Sequence, residues 1–217
     1  VEPMRHVYLG PSFTNAQVVA ACEAHPGQPQ FSQIDDVPQH VADLLAQGHP
    51  VAWFQGRMEF GPRALGARSI LGCPSIAGVA DRINEQIKFR ERWRPFCPSM
   101  PVAVGKQMFK VGHPAPFMTF TFEVNEAWKS RVPEVVHEDG TARAQLLERE
   151  HNPRYFDLME KLEQLTGNAV VLNTSLNRRG EPVVCTPTDA LNMFFGSDLQ
   201  YLMMEDVLCV KGRATAE

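Results

Sequence analysis

Apolar residues recur along the chain at two spacings that alternate with each other. In residues 37–47 they fall three or four positions apart and stop at Gly48, which predicts an amphipathic helix that ends at a glycine. Val51–Phe54 follows as a continuous apolar run of strand length. Helical and strand-length segments that alternate around glycine turns are typical of an α/β domain, so we predict that fold class.

The same criteria predict the remaining elements. Helices are expected at residues 14–24, 76–87, 127–132, 153–165 and 186–195. Strands are expected at residues 6–9, 68–73, 101–104, 117–124, 169–172, 199–203 and 207–210.

Two further segments are predicted from their turn. Residues 134–137 and 142–147 flank an Asp-Gly dipeptide at 139–140, and we expect them to pair as a hairpin. We find no internal repeat and no low-complexity segment, and the HPAP run at 113–116 reads as a loop. We therefore predict one domain over residues 1–217.

Composition narrows the class of protein. Of the 217 residues, 44% are hydrophobic and 21% are charged, as in ordinary globular proteins, and the formal net charge is −4. Because proteins that coat nucleic acids carry a surplus of basic residues, we do not expect nucleic acid as a partner.

No apolar run approaches the ~20 residues that cross a bilayer, so we expect no membrane contact. Five scattered cysteines without a C-x-x-C pair favour reduced thiols and a cytoplasmic protein. Val1 stands first in place of Met, so we expect a piece of a longer protein.

Basic residues are concentrated in one part of this acidic chain, which we call the basic stretch, residues 56–98. It holds eight of the 21 Lys and Arg residues and only four acidic ones. The eight are Arg57, Arg63, Arg68, Arg82, Lys88, Arg90, Arg92 and Arg94. Guanidinium groups among glycine and proline turns indicate a pocket for an anion, with phosphate as the first candidate. The alternative is a solvated basic surface.

Two motifs in the basic stretch refine this hypothesis. The spacing G-x-x-x-x-G at 61–66 is that of a P-loop, but Ala67 and Arg68 follow where that motif needs Lys and Ser or Thr. A P-loop is therefore rejected, although Arg63 and backbone N–H groups could still approach a phosphate together. The alternative for Arg63 is a surface arginine on a tight turn. The densest charge is Lys88-x-Arg90, and its alternative is a solvated loop.

Polar residues also follow a predicted buried strand far down the chain. Residues 173–177 read Asn-Thr-Ser-Leu-Asn and come directly after the apolar run 169–172. Open α/β sheets bind ligands outside the carboxyl ends of their strands, so this segment is a candidate binding site. Ser175 and Asn177 alternate and would face one side if extended. The alternative is a polar turn that satisfies its own backbone.

One further pair lies across the predicted Asp-Gly turn. His137 and Arg143 offer an imidazole and a guanidinium there, and the alternative is an exposed hairpin tip. No histidine, cysteine or carboxylate spacing indicates a metal site, and no catalytic triad is evident. We therefore predict no metal-ligating residues.

Four motifs together resemble a known family. They are GRMEFGPRALGARSIL, INEQIKFRERWRPFCPS, HEDGTARAQ and VVLNTSLNRRGEPVVCTPTDAL. They resemble the C-terminal domain of the O-carbamoyltransferases, the family of the nodulation-factor, cephamycin and tobramycin carbamoyltransferases. The resemblance covers residues 51–211 and implies a YrdC-like fold, a twisted open mixed sheet flanked by helices. The YrdC signature K-x-R … S-x-N falls on Lys88, Arg90, Ser175 and Asn177.

The resemblance also implies a reaction. Carbamoyl phosphate is hydrolysed, and the carbamate reacts with ATP to give carbamoyl-adenylate and pyrophosphate. ATP is then a substrate, and Mg²⁺ is expected with it. Transfer of the carbamoyl group needs an N-terminal, iron-binding, sugar-kinase-like domain of the same polypeptide, which this chain lacks. A homodimer of the full-length protein stays open, and the final carbamoyl acceptor is not indicated.

Site residues follow from the motifs and the resemblance. Catalytic roles are expected for Lys88, Arg90 and His137. Substrate binding is expected for Arg63, Arg94, Arg143, Asn173, Thr174, Ser175 and Asn177. Lys88 and Arg90 would hold phosphates of ATP or carbamoyl phosphate, and Ser175 and Asn177 would bind phosphates or help hold Mg²⁺.

Two other functions remain open at this point. The first is a YrdC-type enzyme of transfer-RNA modification, which makes threonylcarbamoyl-adenylate from threonine, bicarbonate and ATP. It shares K-x-R and S-x-N but is not expected to carry GPRALG or HEDGTARAQ. The second is a module that binds nucleotide or RNA without catalysis.

Overall fold

The computed structural model of the chain describes residues 4–88, 95–110 and 113–211. In these ranges the strands are β1 (Gln30–Gln33), β2 (Val51–Phe54), β3 (Arg68–Gly72), β4 (Cys97–Pro101), β5 (Thr121–Glu123), β6 (Thr141–Arg143), β7 (Gln145–Leu147), β8 (Val171–Ser175), β9 (Tyr201–Met204) and β10 (Val207–Val210). The α-helices are α1 (Asn15–Ala24), α2 (Val37–Ala46), α3 (Val79–Ile83), α4 (Val102–Met108), α5 (Glu126–Lys129), α6 (Pro153–Thr166) and α7 (Pro187–Phe195). A π-helical turn, Asn84–Lys88, extends α3, and short 3-10 turns lie at Pro133–Val135 and Arg149–His151.

Eight of the described strands form one mixed sheet. Their order across the sheet is β1-β10-β9-β2-β3-β8-β4-β7. The pairs β2–β9 and β4–β7 are parallel and the other pairs are antiparallel. β5 and β6 pair separately as a small antiparallel sheet. The prediction of a mixed α/β sheet is confirmed.

The centre of the sheet is buried on both faces. Every residue of β2 and β3 is buried, and successive side chains of a strand point to opposite faces. Trp53 contacts Tyr155 of α6, with 6.5 Å between ring centroids, and its neighbour Phe54 contacts Phe13 at 5.9 Å. Protein therefore covers both faces, as apolar runs without alternation require.

Helix ends follow their sequence signals closely. α1 and α7 begin with capping boxes, in which Thr14 pairs with Gln17 and Thr186 pairs with Asp189. Asn152 caps α6, whose other end is Gly167 with a φ of 75°. The helices predicted at 14–24, 37–47, 153–165 and 186–195 are confirmed within one or two residues.

The predicted hairpin between 134–137 and 142–147 is wrong. The turn exists, since the backbone N–H of His137 donates to the carbonyl oxygen of Thr141 at 2.8 Å. However, β6 pairs with β5, and β7 pairs with β4. Glu134 is not in a strand because its carboxylate caps α3, accepting from the backbone N–H groups of Gly78 and Ala80 at 2.9 Å.

Other boundaries also differ from the prediction. The strand predicted at 101–104 is β4 followed by α4, and the helix places Gly105 where a Cβ would lie 2.4 Å from Leu146. The helix predicted at 76–87 is shorter and ends in the π-helical turn. The strand predicted at 6–9 is a single bridge between Tyr8 and Glu59. β1 was not predicted because its four side chains are all exposed and show no alternation.

Within the described ranges, the helices are all too short or too polar to cross a lipid bilayer.

Thr186→Ala should lower the free energy of unfolding by about 1 kcal/mol, because the backbone N–H of Asp189 loses its acceptor. Urea unfolding followed by circular dichroism measures the change. Thr188→Ala is the matched control on the same helix, since Thr188 is exposed and its side chain makes no hydrogen bond within the described chain. Equal losses in the two variants would show that the cap does not stabilise α7.

Candidate functional site

The end of β8 meets two other segments at one edge of the sheet. Ser175, the last residue of β8, lies opposite Ser69 in β3. β4 begins on the other side of β8. The loop that enters β3 therefore lies beside the end of β8, and we call this loop, residues 61–67, the arginine loop after Arg63.

Lys88 contacts the segment that follows β8. Its Nζ donates to the carbonyl oxygens of Ser175 at 2.5 Å and Asn177 at 3.0 Å. The same Nζ lies 2.8 Å from Oδ1 of Asn177 and 3.3 Å from Oγ of Ser175. Asn177 is held further by its Nδ2, which donates to the carbonyl oxygen of Glu181 at 2.7 Å. The structure thus brings together Lys88, Ser175 and Asn177, as the two separate motifs predict.

A cavity of about 120 Å³ opens beside this cluster. Five predicted site residues line it: Arg63, Arg143, Asn173, Thr174 and Ser175. Among the described residues in its walls there is no Asp or Glu. With two guanidinium groups and no carboxylate, the cavity suits an anion.

The two arginines of the cavity differ in how they are held. Arg63 is exposed, and within the described chain its guanidinium has no hydrogen-bond or ion-pair partner. Arg143 ends β6, and its Nη2 donates to Sγ of Cys97 at 3.1 Å, while its Nε is buried with no partner among the described residues. Cys97 therefore also lines the site. Both guanidinium groups keep most of their donors for a ligand.

Buried side chains hold the carbonyl groups of the arginine loop. Nδ2 of Asn173 donates to the carbonyl oxygen of Ala64 at 3.1 Å and to Oγ of Ser99 at 3.0 Å. The carbonyl oxygen of Leu65 accepts from the hydroxyl of Tyr8 at 2.7 Å and from Nε2 of Gln145 at 3.0 Å. Asn173 is thus a loop anchor as well as a wall of the cavity.

The next residue of the loop, Gly66, must be glycine. Its φ is 95°, and a Cβ there would lie 2.2 Å from Cδ1 of Tyr155, a fully buried ring. Its carbonyl oxygen accepts from Nε1 of Trp53 at 2.9 Å and from Nε2 of Gln55 at 2.8 Å. None of the loop anchors other than Asn173 was predicted, because they come from three separate segments and share no motif.

Other arginines of the basic stretch do not reach the cavity. Arg68 is fully buried, with its guanidinium 3.5 Å from the ring centroid of Phe54 and Nη1 donating to Ala67, Gln55 and Gly56 carbonyls at 3.0 to 3.3 Å. Burial lowers the pKa of Arg68 to about 10. These contacts are structural.

Arg57 and Arg82 also lie elsewhere. Arg57 donates to the carbonyl oxygens of Leu9 at 2.6 Å and Gly10 at 3.0 Å. Arg82 lines a different cavity with His49, beside the first residues of β2 and β9. The hypothesis of one anion pocket for the whole basic stretch is therefore wrong for Arg57, Arg68 and Arg82.

Three more of these cations fall outside the described residues. Arg90, Arg92 and Arg94 lie between 88 and 95, so the roles predicted for Arg90 and Arg94 stay predictions.

His137 lies beside Arg143 but not in the cavity wall. Oγ1 of Thr141 donates to Oδ1 of Asp139 at 2.7 Å, so at 3.2 Å Nδ1 of His137 is the donor to the same Oγ1. Nε2 of His137 is then an acceptor, and it is buried without a partner among the described residues. Burial lowers the pKa of His137; Asp139 opposes this shift and the charge of Arg143 adds to it. The imidazole is therefore neutral at pH 7.

A larger cavity, about 650 Å³, lies away from this site. Its walls carry charges of both signs and none of the predicted site residues; they include Arg5, Lys106, Glu148 and Glu150. The smaller cavity contains two guanidinium groups and the predicted site residues, whereas the described residues of the larger one show neither pattern. We therefore take the smaller cavity as the candidate functional site. No group of three His, Cys, Asp or Glu residues that could hold a metal ion occurs in the described parts of the chain.

Comparison with known proteins supplies the family. The family model "Carbamoyltransferase C-terminus" matches residues 42–211. The chain belongs to this family. Nodulation protein NolO of Bradyrhizobium diazoefficiens is 38% identical over 100% of this chain and 40% of its own length. An uncharacterised protein of Synechocystis sp. is 38% identical over 97% of this chain and 38% of its own length. The chain thus spans about two-fifths of the length of these relatives, and the resemblance to the carbamoyltransferases is confirmed.

One solved structure confirms the fold. Full-length HypF, in the phosphate- and nucleotide-bound form, matches with a TM-score of 0.51 and 16% identity, over 83% of this chain and 22% of the HypF chain. At this identity the match shows the fold alone. The carbamoyltransferase domain has the YrdC-like fold that its motifs predict.

Arg68→Lys should lower the free energy of unfolding by about 2–4 kcal/mol, because an ammonium cannot reproduce the stacking and the several carbonyl contacts of the guanidinium. Arg63→Lys is the matched control in the same motif and should leave stability unchanged within about 0.5 kcal/mol. Urea unfolding measures both. A stable Arg68→Lys variant would show that the buried arginine does not hold this edge of the fold.

The pKa of His137 should be below the ordinary 6.5 of histidine, with the Nδ1–H tautomer dominant at pH 7. Imidazole ¹⁵N NMR measures both quantities. Because the unfolded chain then binds more protons below pH 6.5, stability is complete above that pH and falls as the pH drops through 6.5 towards the folded-state pKa. This loss should shrink in His137→Gln, and a measured pKa above 6.5 would contradict the arrangement.

Proposed function

We propose that this carbamoyltransferase domain forms carbamoyl-adenylate from carbamoyl phosphate and ATP. The observation that carries the proposal is the cavity in which Arg63 and Arg143 converge, with no carboxylate among the described residues of its walls, beside the Lys88–Ser175–Asn177 cluster. Both substrates present phosphate groups, which guanidinium groups bind through paired hydrogen bonds. Full-length HypF, whose fold this chain shares, was solved with nucleotide and phosphate bound, which are ligands of the same chemical class.

The half-reaction has two steps. Water attacks carbamoyl phosphate and releases inorganic phosphate and carbamate. A carbamate oxygen then attacks the α-phosphorus of ATP, forms the acyl-phosphate bond of carbamoyl-adenylate, and expels pyrophosphate. In the first step negative charge develops on the departing phosphate, and in the second it develops on the α-phosphoryl group and the departing pyrophosphate. Fixed cations in a partly closed site therefore lower both barriers. No covalent enzyme intermediate is required.

The volume of the cavity limits how much of a substrate it can enclose. Pockets that enclose a whole drug-sized ligand have volumes of ~300–1,000 Å³, and this cavity has about 120 Å³. We therefore assign it to the reacting phosphoryl groups, with the nucleoside outside it. Arg63 and Arg143 bind phosphoryl oxygens in this assignment, and Thr174 and Ser175 line the same wall.

For Lys88 we propose a role other than the one that its motif predicts, although no observation tests that predicted role. Its three ammonium N–H bonds are surrounded by four oxygens of Ser175 and Asn177 at 2.5 to 3.3 Å. We assign Lys88 to shaping the loop after β8, with its charge acting on the phosphates from behind that loop. The catalytic roles predicted for Arg90 and His137 stay predictions; His137 would act through Arg143, whose charge it adjoins.

Mg²⁺ fits this site as a companion of ATP. Mg²⁺ commonly reaches an enzyme through substrate phosphates and a small number of protein oxygens. The described residues offer no cluster of three carboxylate, histidine or cysteine ligands, whereas Oδ1 of Asn173 is buried without a partner among them. Asn173 and Thr174 are the candidates to hold such an ion.

Transfer of the carbamoyl group is assigned to the rest of a longer protein. The chain covers about 40% of the length of NolO, and its family model is that of a C-terminal region. We propose that an N-terminal, iron-binding, sugar-kinase-like domain receives the carbamoyl-adenylate and carries the acceptor specificity. This domain is the expected partner of the chain, which we propose folds as one domain over residues 1–217.

Arg63→Ala and Arg143→Ala should each lower pyrophosphate release from ATP and carbamoyl phosphate by roughly 30- to 1000-fold. The reason is that each variant loses a charge-assisted contact to transition-state charge, worth ~2–4 kcal/mol. Release is measured with a coupled pyrophosphate assay on the 217-residue chain. Arg149→Ala is the control, because Arg149 is an exposed arginine that pairs with Asp157 and Glu160.

The same assay separates the rival functions. Pyrophosphate release with threonine and bicarbonate in place of carbamoyl phosphate would instead support threonylcarbamoyl-adenylate synthesis. ATP binding without release from either mixture would support a binding module. Undiminished release in both arginine variants would remove the cavity from the reaction.

A further inference from the structure

Glu59 is a buried carboxylate directly in front of the arginine loop. Its side chain is 6% exposed in a part of the protein where the ligand is proposed to be an anion. Its Oε1 accepts from the backbone N–H groups of Leu65 at 2.6 Å, Ala67 at 3.1 Å and Arg68 at 3.3 Å. One carboxylate oxygen thus accepts from two donors of the arginine loop and from the first residue of β3, which lie six to nine positions further along the chain.

A carboxylate is electrostatically unfavourable at this place. A negative charge near an anion site weakens anion binding, and burial of a carboxylate is costly unless hydrogen bonds replace water. Within the described chain, no lysine or arginine forms an ion pair with Glu59 at contact distance, although the charge of the buried Arg68 attracts the carboxylate. The three backbone N–H groups supply the direct hydrogen bonds, and they give Glu59 a geometric role in the loop besides its charge.

Glu59 accepts from backbone N–H groups of the arginine loop, whereas the anchors described above donate to its carbonyl groups. The carbonyl groups of Ala64, Leu65 and Gly66 are held by side chains beneath the loop. The N–H groups of Leu65 and Ala67 are held by Glu59. The backbone of residues 64–67, directly after Arg63, is thus held through both its donors and its acceptors.

The outer side of the loop gives Arg63 no such support. Phe60 is 75% exposed, and a Cβ on Gly61 would meet no atom within 4 Å. Arg63 itself has no partner within the described chain. The position of Arg63 consequently depends on the loop backbone, whose N–H groups Glu59 holds.

Glu59 is in turn anchored to the start of the described chain. It forms a bridge with Tyr8, and the N–H groups of its neighbours Met58 and Phe60 donate to the carbonyl oxygens of Pro11 and Val7 at 2.9 and 2.7 Å. The carboxylate is therefore presented from a fixed backbone.

We infer that Glu59 is a positioning residue for the proposed anion site: its carboxylate folds the arginine loop so that Arg63 faces the cavity. The inference rests on the proposed function for its ligand, but the geometry of the loop can be tested without one. Glu59 acts through Arg63 and touches no substrate.

The affinities of ATP and of carbamoyl phosphate for the 217-residue chain, measured by calorimetry, give the first test. Glu59→Gln removes a negative charge near an anion site, so electrostatics alone would raise affinity. Because Gln is a weaker acceptor and places a donor at the buried, unpartnered Oε2 position, we expect affinity to fall by about 10-fold. Glu59→Asp keeps the charge but withdraws the carboxylate, and it should show the same fall.

The control is Glu205→Gln, at the same edge of the sheet. Oε1 of Glu205 accepts one backbone N–H, that of Gly56, at 2.7 Å, and it does not contact the arginine loop. This variant should keep or raise anion affinity. Equal losses in Glu59→Gln and Glu205→Gln, or normal affinity in Glu59→Asp, would overturn the positioning role.

A double variant tests the route through Arg63. In an Arg63→Ala background, Glu59→Gln should change affinity by less than about 2-fold, because the group that it positions is absent. A further 10-fold loss would show that Glu59 acts elsewhere.

Hydrogen exchange separates failure of this inference from failure of the proposed function. The amides of Leu65, Ala67 and Arg68 should exchange slowly in the wild-type chain and faster in Glu59→Gln, without any ligand. If the wild-type chain binds neither probe but shows this protection pattern, the function is wrong and the loop geometry stands. If those amides exchange equally fast in both proteins, the inference is wrong whatever the ligand.

Discussion

The ammonium group of Lys88 joins two parts of the site that lie 87 positions apart in the chain. It is almost completely buried, and four oxygens of Ser175 and Asn177 surround it. A buried ammonium group is tolerated only where acceptors replace its water, so the π-helical turn after α3 and the loop after β8 have to form together. Of this cluster, Ser175 lines the cavity, so the contact holds one residue of the cavity wall.

The order of strands makes that contact possible. β8 runs antiparallel to both of its neighbours, so its last residue lies beside the first residues of β3 and close to the start of β4. The arginine loop enters β3, and Cys97 begins β4, so both reach the end of β8. Arg143 arrives on β6, outside the main sheet, and contacts Cys97. The described walls of the cavity are therefore drawn from five separate segments, residues 62–64, 95–97, 118, 143 and 173–175, which give so small a cavity two cations and two hydroxyl groups.

Guanidinium groups in the basic stretch perform two distinct tasks. Arg57 and Arg68 bind backbone carbonyl oxygens and stabilise the fold, whereas Arg63 has no partner within the described chain. Local charge density does not separate these tasks, because the side chains are identical. An arginine stabilises the fold when backbone carbonyl oxygens lie within hydrogen-bond distance of its guanidinium group. Those carbonyl groups belong to segments as remote in sequence as Pro11, which accepts from Arg68. The excess of arginine therefore combined residues that stabilise the fold with Arg63, which lines the cavity.

Local patterns determined the elements whose signals are local. Capping boxes, helical periodicity and apolar runs gave α1, α2, α6, α7, β2 and β3, and the paired motifs located Lys88, Ser175 and Asn177 as one cluster. These features could be predicted because their stabilising contacts lie within a turn of helix, within a buried strand, or within motifs that a family shares.

Only the tertiary structure decided the conformation of the short polar segments and showed which residues hold the arginine loop in place. Residues 134–147 do not form a hairpin because Glu134 caps α3 instead, 54 to 56 positions away. The roles of Glu59 and Gly66 depend on backbone groups and a tyrosine ring that are adjacent only after folding. A short strand or a loop has too few contacts of its own to choose a conformation, so its partners in the folded chain make the choice.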